Sequence, residues 1–506
     1  MDTLTVADPV REERLTRRAW PWIGLVAAAA FGAELAVSAR YGYVRDELYF
    51  LAAGHHLAFG YVDQPPLTPV LARLAELAGG GTLVGFRVLP ALVLAAVVLM
   101  VAGMSRALGA GRTGQVLAAL ATATCGEYLG ICHELTTATP DLLFWTITLY
   151  LCVRLLTSRD PRWWVAIGLS AGVGSEAKWN IGFLIAALGF GFAASREARG
   201  LLLSRYLLIG AVIAAALAAP DLIWQAANGW PNLAVFRALQ GAAGQNRLFY
   251  WPSQLGYAGP VLVPMWVAGA WWSLRTPAGR PYRALGLACV GVIVLQFVLG
   301  GKAYYPGGAY TFLFAAGAGP VERWLARRPS PRRSLTWLMA AMLAGGLVAA
   351  PISLSALPAR ALHTVPLQMI NYDLAETIGW PQQVALVAHE YDALPAAERA
   401  HTTILTGNYG EAGALSRYGS GFGLPTAYSG ANNFWLWGPP PAGDTSAIAV
   451  NVDPALLHRE FGSVRLVGRF WNGLGVDDDE EGVPVYLATG LKSSWAQAWP
   501  AFRNYS

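Results

Sequence analysis

Between residues 19 and 352 the chain alternates long apolar runs with short polar breaks that carry arginine. A bilayer core of about 30 Å is crossed by about 20 mostly apolar helical residues, because lipid offers no partner to an exposed backbone amide. Eleven stretches meet that demand, at 19–39, 84–104, 114–132, 140–157, 163–178, 180–195, 201–221, 255–274, 284–300, 305–320 and 335–352, with the fifth, sixth and tenth short. The first is too long for a cleaved leader, and Ser38-Ala39-Arg40 is a poor small-residue cleavage site. After residue 352 the pattern changes. Strand-like runs Thr402 to Thr406, Ala447 to Val452, Ser463 to Phe470 and Val483 to Leu487 alternate with helical stretches Pro381 to Ala393, Glu411 to Tyr418 and Pro454 to Phe461. Asp453 before Pro454 makes an N-cap and first-turn pair. The acidic run Asp477 to Glu481 reads as a solvated turn. The expected architecture is an α-helical multi-pass membrane protein over 1–352, followed by a small extracytoplasmic α/β domain over 353–506.

Composition supports that reading. Of 506 residues, 55% are hydrophobic and 13% charged, with a mean hydropathy of +0.40, where soluble domains carry about 25% charged residues. A soluble globular enzyme is excluded. So is a nucleic-acid partner, because 36 Lys and Arg against 31 Asp and Glu give only +5, and no basic stretch is interleaved with stacking aromatics. Cys125, Cys132, Cys152 and Cys289 all lie in apolar runs, which leaves neither a disulfide framework nor a zinc pattern.

Positive charge sets the orientation, since basic loops stay cytoplasmic. With the N-terminus inside, the cytoplasmic segments hold twenty arginines, from Arg11, Arg14, Arg17 and Arg18 to Arg332 and Arg333. The outer segments before residue 353 hold only eight basic residues, and eleven spans put the tail outside the cell membrane. Acids lean the other way. Glu34, Asp46, Glu47, Asp63, Glu76, Glu127, Glu134, Asp141, Glu176 and Asp221 fall at or near expected outer ends, where an ionised side chain is costly unless it meets water, a partner or a cavity. Trp20, Trp22, Trp163, Trp164, Trp251, Trp271 and Trp272 stand where an interfacial aromatic belt belongs. In the tail, Phe434, Trp435 and Trp437 cluster beside Asn432 and Asn433, suiting either a stacked sugar or ordinary packing.

The first outer loop, Arg40 to Leu67, is too long and too polar for a simple connector. It carries Arg45-Asp46-Glu47, then His55-His56, then Asp63-Gln64-Pro65-Pro66-Leu67. Adjacent carboxylates point in different directions on a helix, so one is free to face a cavity while its neighbour makes structural bonds. The double proline stiffens the exit. Adjacent histidines do not share a helical face and no His-x-x-His or His-x-x-x-His pair exists, so no metal is expected. No phosphate-cradling glycine loop follows a strand, and no cofactor is expected.

In these residues the chain resembles the membrane glycosyltransferases of family 39 and their bacterial relatives, which use polyprenyl-phosphate sugars and have the GT-C fold. The group includes protein O-mannosyltransferases and the lipid A aminoarabinose transferases. The matching features are Asp46-Glu47 after the first span, Pro65-Pro66-Leu67, and Pro140-Asp141-Leu142 at the start of a later span. Further on come Glu176-Ala177-Lys178-Trp179, Lys302-Ala303-Tyr304-Tyr305-Pro306, Gly407-Asn408-Tyr409-Gly410-Glu411-Ala412, and Ser429 to Phe434 with Trp437-Gly438. Gln64 is a departure, because aminoarabinose transferases tend to carry lysine before Pro-Pro-Leu. A neutral amide gives a lipid phosphate no positive charge, which argues against lipid A aminoarabinose transfer.

The resemblance implies an inverting transferase with Asp46 as base, Glu47 in support and Asp141 as orienting acceptor or second base. The chemistry alone asks for similar parts: a carboxylate to take the proton of an attacking hydroxyl, and cations to hold the departing phosphate. Of only three lysines, Lys178 and Lys302 sit at expected outer ends. With Arg45, Arg237 or Arg247, and beside Tyr304 and Tyr305, they form the candidate phosphate site, while Asp63, Gln64, Pro65 and Pro66 form the candidate substrate loop. The expected partners are a polyprenyl-phosphate sugar, the lipid bilayer and an acceptor that the sequence does not identify. The rival reading is a transporter or flippase of a lipid-linked sugar, which would gather its charges near the midplane and show repeated halves. Neither feature is present in the sequence.

Overall fold

A computed structural model describes residues 19–366 and 370–505; Arg11, Arg14, Arg17 and Arg18, used above for orientation, lie outside them. Every expected apolar stretch contains helix. The helices Trp20–Val37, Leu83–Ala107, Ala138–Ser158, Arg205–Ala227, Arg280–Leu299 and Pro331–Ser353 are long and apolar enough to cross a membrane, and a seventh candidate is a pair, Arg112–Ala123 and Gly126–His133, bent by 55°. Trp163–Ser175 and Ile181–Ala194 are apolar but shorter. Length and composition therefore support six or seven spans, and the expected eleven is not reached on this measure.

The chain divides into two compact units. Of the described residues, the helical unit comprises 19–36, 87–220 and 239–354; the other, named the outer-loop unit after the loop expected outside, comprises 37–86, 221–238, 355–366 and 370–505. This differs from a simple boundary at 352: the first loop belongs with the tail rather than with the spans. Within the helical unit, Val263–Arg275 and Ala309–Ala326 pack through Gly269 and Gly317, where a Cβ on either would strike the facing backbone carbonyl. Two belt tryptophans prove to be core. Trp164 is 7% exposed, with its indole N–H donated to the Leu201 carbonyl, and Trp272 is 6% exposed, stacked on Tyr282. Trp20, Trp22, Trp251 and Trp271 remain exposed, as a belt requires.

The outer-loop unit holds a five-stranded sheet in the order β2-β1-β3-β5-β4, with β1 Thr402–Thr406, β2 Ala427–Ser429, β3 Ser446–Val450, β4 Phe461–Arg469 and β5 Pro484–Leu491. β1 pairs in parallel with β2 and β3, while β5 pairs antiparallel with β3 and β4. All five residues of β1 are buried, which suits a central parallel strand. Leu405, Ala447, Ala449 and Ala488 form one core with Trp495, Trp499 and Phe502 of the last helix. β2 and that helix were not evident in the sequence pattern.

Candidate active site

Two short helices frame the first group. Arg45–Gly54, the loop helix, carries the paired carboxylates, and Tyr409–Tyr418, the tail helix, packs on it within the outer-loop unit. The tail helix begins in a reciprocal cap: Asn408 accepts from the Glu411 N–H, and Glu411 accepts from the Asn408 N–H. Gly410 and Gly413 face the loop helix. A Cβ on Gly413 would lie 2.8 Å from the Leu48 carbonyl carbon, and one on Gly410 would collide with the Arg45 side chain. Only glycine permits so close an approach.

That approach sets the carboxylates apart. Glu47 is fully buried and accepts the Val44 N–H at 3.0 Å, so it fixes the start of its own helix. Asp46 is half-buried, and its Oδ1 accepts the Tyr409 hydroxyl at 2.8 Å. Oδ2 has no hydrogen-bond partner among the described residues and is not sealed from solvent. The adjacent carboxylates therefore have different neighbours, a backbone N–H for Glu47 and a tyrosine hydroxyl for Asp46.

Asp63 forms the second half of this group. Its Oδ1 accepts from Tyr49 at 2.9 Å, and its Oδ2 accepts from the Asn432 amide at 3.3 Å. Asn433 Oδ1 receives the Val62 N–H at 2.6 Å, which ties the loop's exit to the tail. Burial pushes the Asp63 carboxyl up to about 7; the Tyr49 bond opposes the shift and Asp46 adds to it. Tyr49 and Tyr409 lie with ring centroids 4.9 Å apart, joining the Asp46 and Asp63 ends. Gln64 is 2% exposed, with neither side-chain polar atom hydrogen-bonded among the described residues. Pro65 is buried, and Pro66 leads into the helix Leu67–Ala78.

Arg45 is engaged by the tail. Its guanidinium lies over the rings of Tyr372 and Tyr409, 5.3 and 5.1 Å from their centroids, and 3.8 Å from Asp479. Burial works against its charge, but Tyr409, Tyr372, Glu376 and Asp46 outweigh it and hold the pKa above the ordinary value. The acidic run that supplies Asp479 is not the solvated turn expected. Asp478 and Glu480 are 5% and 2% exposed; Asn472 donates to Asp478, and Gln383 and Asn408 donate to Glu480. Alternate residues point inward to amide donors, Asn472 nearby for Asp478 and the distant Gln383 and Asn408 for Glu480, which a local charge pattern does not reveal. Burial raises Asp478 to about 7 and Glu376 to about 8. Arg237, on Pro231–Leu239, is exposed with no partner among the described residues.

The second group lies in the helical unit. Asp141, in the first turn of Ala138–Ser158, accepts from the Asn180 amide at 2.9 Å, and the same amide donates to the Tyr305 carbonyl at 2.8 Å. Gln296 donates to Asn180 at 3.2 Å and fixes which way it faces. The Lys178 ammonium lies 5.0 and 4.9 Å from the ring centroids of Tyr304 and Tyr305. Asp141, Lys178, Tyr304 and Tyr305 line one small cavity. Lys302 is exposed with no partner among the described residues, whereas Arg247 is spent on the Val298 carbonyl at 2.9 Å. Asn180 and Gln296 were missed in the sequence, where the available signals were an amide inside an apolar helix for Gln296 and an amide at the start of one for Asn180.

The histidines diverge: His55 pairs with Glu76 at 3.1 Å, and His56 stacks on Trp437 at 4.4 Å. No group of three or more His, Cys, Asp or Glu among the described residues is arranged to hold a metal ion. Phe434 is largely buried, and Trp435 and Trp499 each donate to the other's carbonyl, so much of the aromatic cluster is packing.

The chain resembles polyprenyl-phosphate-sugar glycosyltransferases of the GT-C type, in sequence over part of its length and in fold over nearly all of it. Residues 63–224 match the family profile of dolichyl-phosphate-mannose-protein mannosyltransferases. Among solved structures, ArnT from Cupriavidus metallidurans in the apo state aligns with a TM-score of 0.55 at 16% identity, covering 93% of this chain and 98% of that one. The same protein bound to undecaprenyl phosphate gives 0.53 at 17% identity, covering 92% and 98%. The arabinofuranosyltransferase AftD from Mycobacteria gives 0.51 at 14% identity, covering 94% of this chain and 42% of that one. Comparison with curated protein sequences finds no significant match.

Proposed function

We propose that the chain is a membrane glycosyltransferase that moves a sugar from a polyprenyl-phosphate carrier to an acceptor hydroxyl on the outer face of the membrane, with inversion at the anomeric carbon. The observation that carries this reading is the state of Asp46, with one oxygen held by a neutral hydroxyl and the other open. That is what a general base needs: a fixed orientation and a lone pair left for the incoming proton. In the reaction, the acceptor oxygen bonds to the anomeric carbon and its proton passes to Asp46. The carbon–phosphate oxygen bond breaks, and its electron pair leaves with the phosphate. Lys302 and Lys178 are assigned to that phosphate, where fixed cations typically contribute a few kcal/mol. Asp141, held by Asn180, is assigned to substrate orientation.

The likeness to a fold seen with undecaprenyl phosphate bound supports a lipid-phosphate donor. The buried neutral Gln64 supports a donor site unlike that of aminoarabinose transferases. Membranes containing the protein, given a panel of labelled polyprenyl-phosphate sugars, should pass one label to an endogenous acceptor and release the polyprenyl phosphate. If labelled lipid crosses the bilayer with its sugar still attached and no label is transferred, the protein is a flippase instead.

A further inference from the structure

We propose that Tyr409, from the last third of the chain, is a positioning residue for the candidate base Asp46: its hydroxyl holds Oδ1 so that Oδ2 faces the acceptor. The proposal rests on the reading of Asp46 as base. Four observations lead to it. The Tyr409 hydroxyl donates to Asp46 Oδ1 at 2.8 Å, a charge-assisted bond of the stronger kind. Tyr409 is the first residue of its helix, and the reciprocal cap between Asn408 and Glu411 fixes its backbone. Gly410 and Gly413 allow the tail helix to approach the loop helix without a Cβ between them, which brings the phenol within reach of Asp46. The ring is packed by Tyr49 at 4.9 Å and the Arg45 guanidinium at 5.1 Å.

The hydroxyl donates without surrendering its proton. Burial first, and then the Asp46 charge, raise the Tyr409 pKa well above its ordinary value, so it stays neutral throughout the working range. The carboxylate is thereby fixed in rotation about its own axis. A base free to rotate would spend part of its time with both oxygens misdirected, and small misplacement of a reacting group is costly in rate.

The test is a four-member set of full-length proteins: wild type, Tyr409→Phe, Asp46→Asn and the double variant, each measured for donor binding, single-turnover transfer and thermal unfolding. Tyr409→Phe removes one oxygen and keeps the ring. It should slow single-turnover transfer about tenfold with donor affinity unchanged and the protein still folded, its unfolding temperature lowered by the loss of one hydrogen bond. In the Asp46→Asn background the same change should cost nothing further, because there is no base left to orient. Wild-type transfer by Tyr409→Phe overturns the proposal, as does an equal loss in both backgrounds or loss of the folded protein. Near-wild-type transfer by Asp46→Asn overturns the assignment of the base itself, which is a separate result.

Discussion

The helical unit and the outer-loop unit manage buried polar charge by different means. In the helical unit, Asp141 has an amide partner and a lysine close by at Tyr304 and Tyr305, and Glu34 meets His133 at 3.0 Å. In the outer-loop unit the partners of the acids are mostly neutral: Tyr409 on Asp46, Tyr49 and Asn432 on Asp63, Asn472 on Asp478, and Gln383 and Asn408 on Glu480. Arg45 is the cation set among them, and it answers to Asp479 and two aromatic rings. A neutral donor orients a carboxylate without cancelling its charge, which suits a base. A nearby cation lowers the cost of a negative group, which suits a departing phosphate.

The largest expected effect tests the base side of this contrast. Asp46→Asn keeps shape and can keep one hydrogen bond but does not accept a proton near neutral pH. Single-turnover transfer should fall about a hundred- to ten-thousandfold with donor affinity little changed. Glu47→Gln should act on stability more than on rate, since Glu47 serves the Val44 N–H.

The cation side comes next. Lys302→Ala should weaken donor binding and turnover together, by about tenfold, and Lys302→Arg should recover part of the loss, because charge returns with altered geometry. An unchanged transfer rate in a well-expressed alanine variant would make Lys302 an interfacial anchor only.

A smaller effect sharpens the packing that joins loop and tail. Gly413→Ala would place a methyl 2.8 Å from the Leu48 backbone, and overpacking of this kind costs about 1–3 kcal/mol. Hydrogen exchange should rise in both helices. Unchanged protection would mean the two helices part without consequence.

The smallest effect is with pH. Asp63 and Asp478 are raised to about 7 and Glu376 to about 8, each mainly by burial. A carboxyl that binds its proton more tightly when folded stabilises the folded state below its unfolded value near 4 and loses that contribution as pH rises through the folded value. The outer-loop unit should therefore exchange amide hydrogens more slowly at pH 5 than at pH 8, after correction for intrinsic rates. The opposite order would show that these acids are ionised and well paired in the folded protein.

How much of this was legible in the sequence follows from the range of the forces involved. Helical runs such as Leu83–Ala107 are written locally, because lipid demands the same solution from each run separately. The shortness of Trp163–Ser175 was legible in the same way, whereas the break between Arg112–Ala123 and Gly126–His133 depends on packing and was not. Asp46-Glu47 and Pro65-Pro66 stood out as motifs, whereas their partners did not. Tyr409 lies 363 positions from Asp46, and Asn433 lies 371 from Val62. Gly410 and Gly413, three apart at the start of a helix, were the local sign that another backbone comes close. The acidic run misled for the same reason: the amide donors to Glu480 sit at Gln383 and Asn408, 97 and 72 positions away.

The glycine-lined meeting of loop helix and tail helix also bears on the order of synthesis. Chains fold from the N-terminus as they are made, at about 5–20 residues per second. Asp46 is thus made long before Tyr409, 363 positions later, arrives to hold it. For that interval, on the order of tens of seconds at such rates, the nascent protein carries its candidate base without the hydroxyl that aims it. If Asp46 is the base and Tyr409 aims it, oriented chemistry begins only once the last third of the chain has folded, and an interrupted product would retain its apolar helices but lack an aligned base.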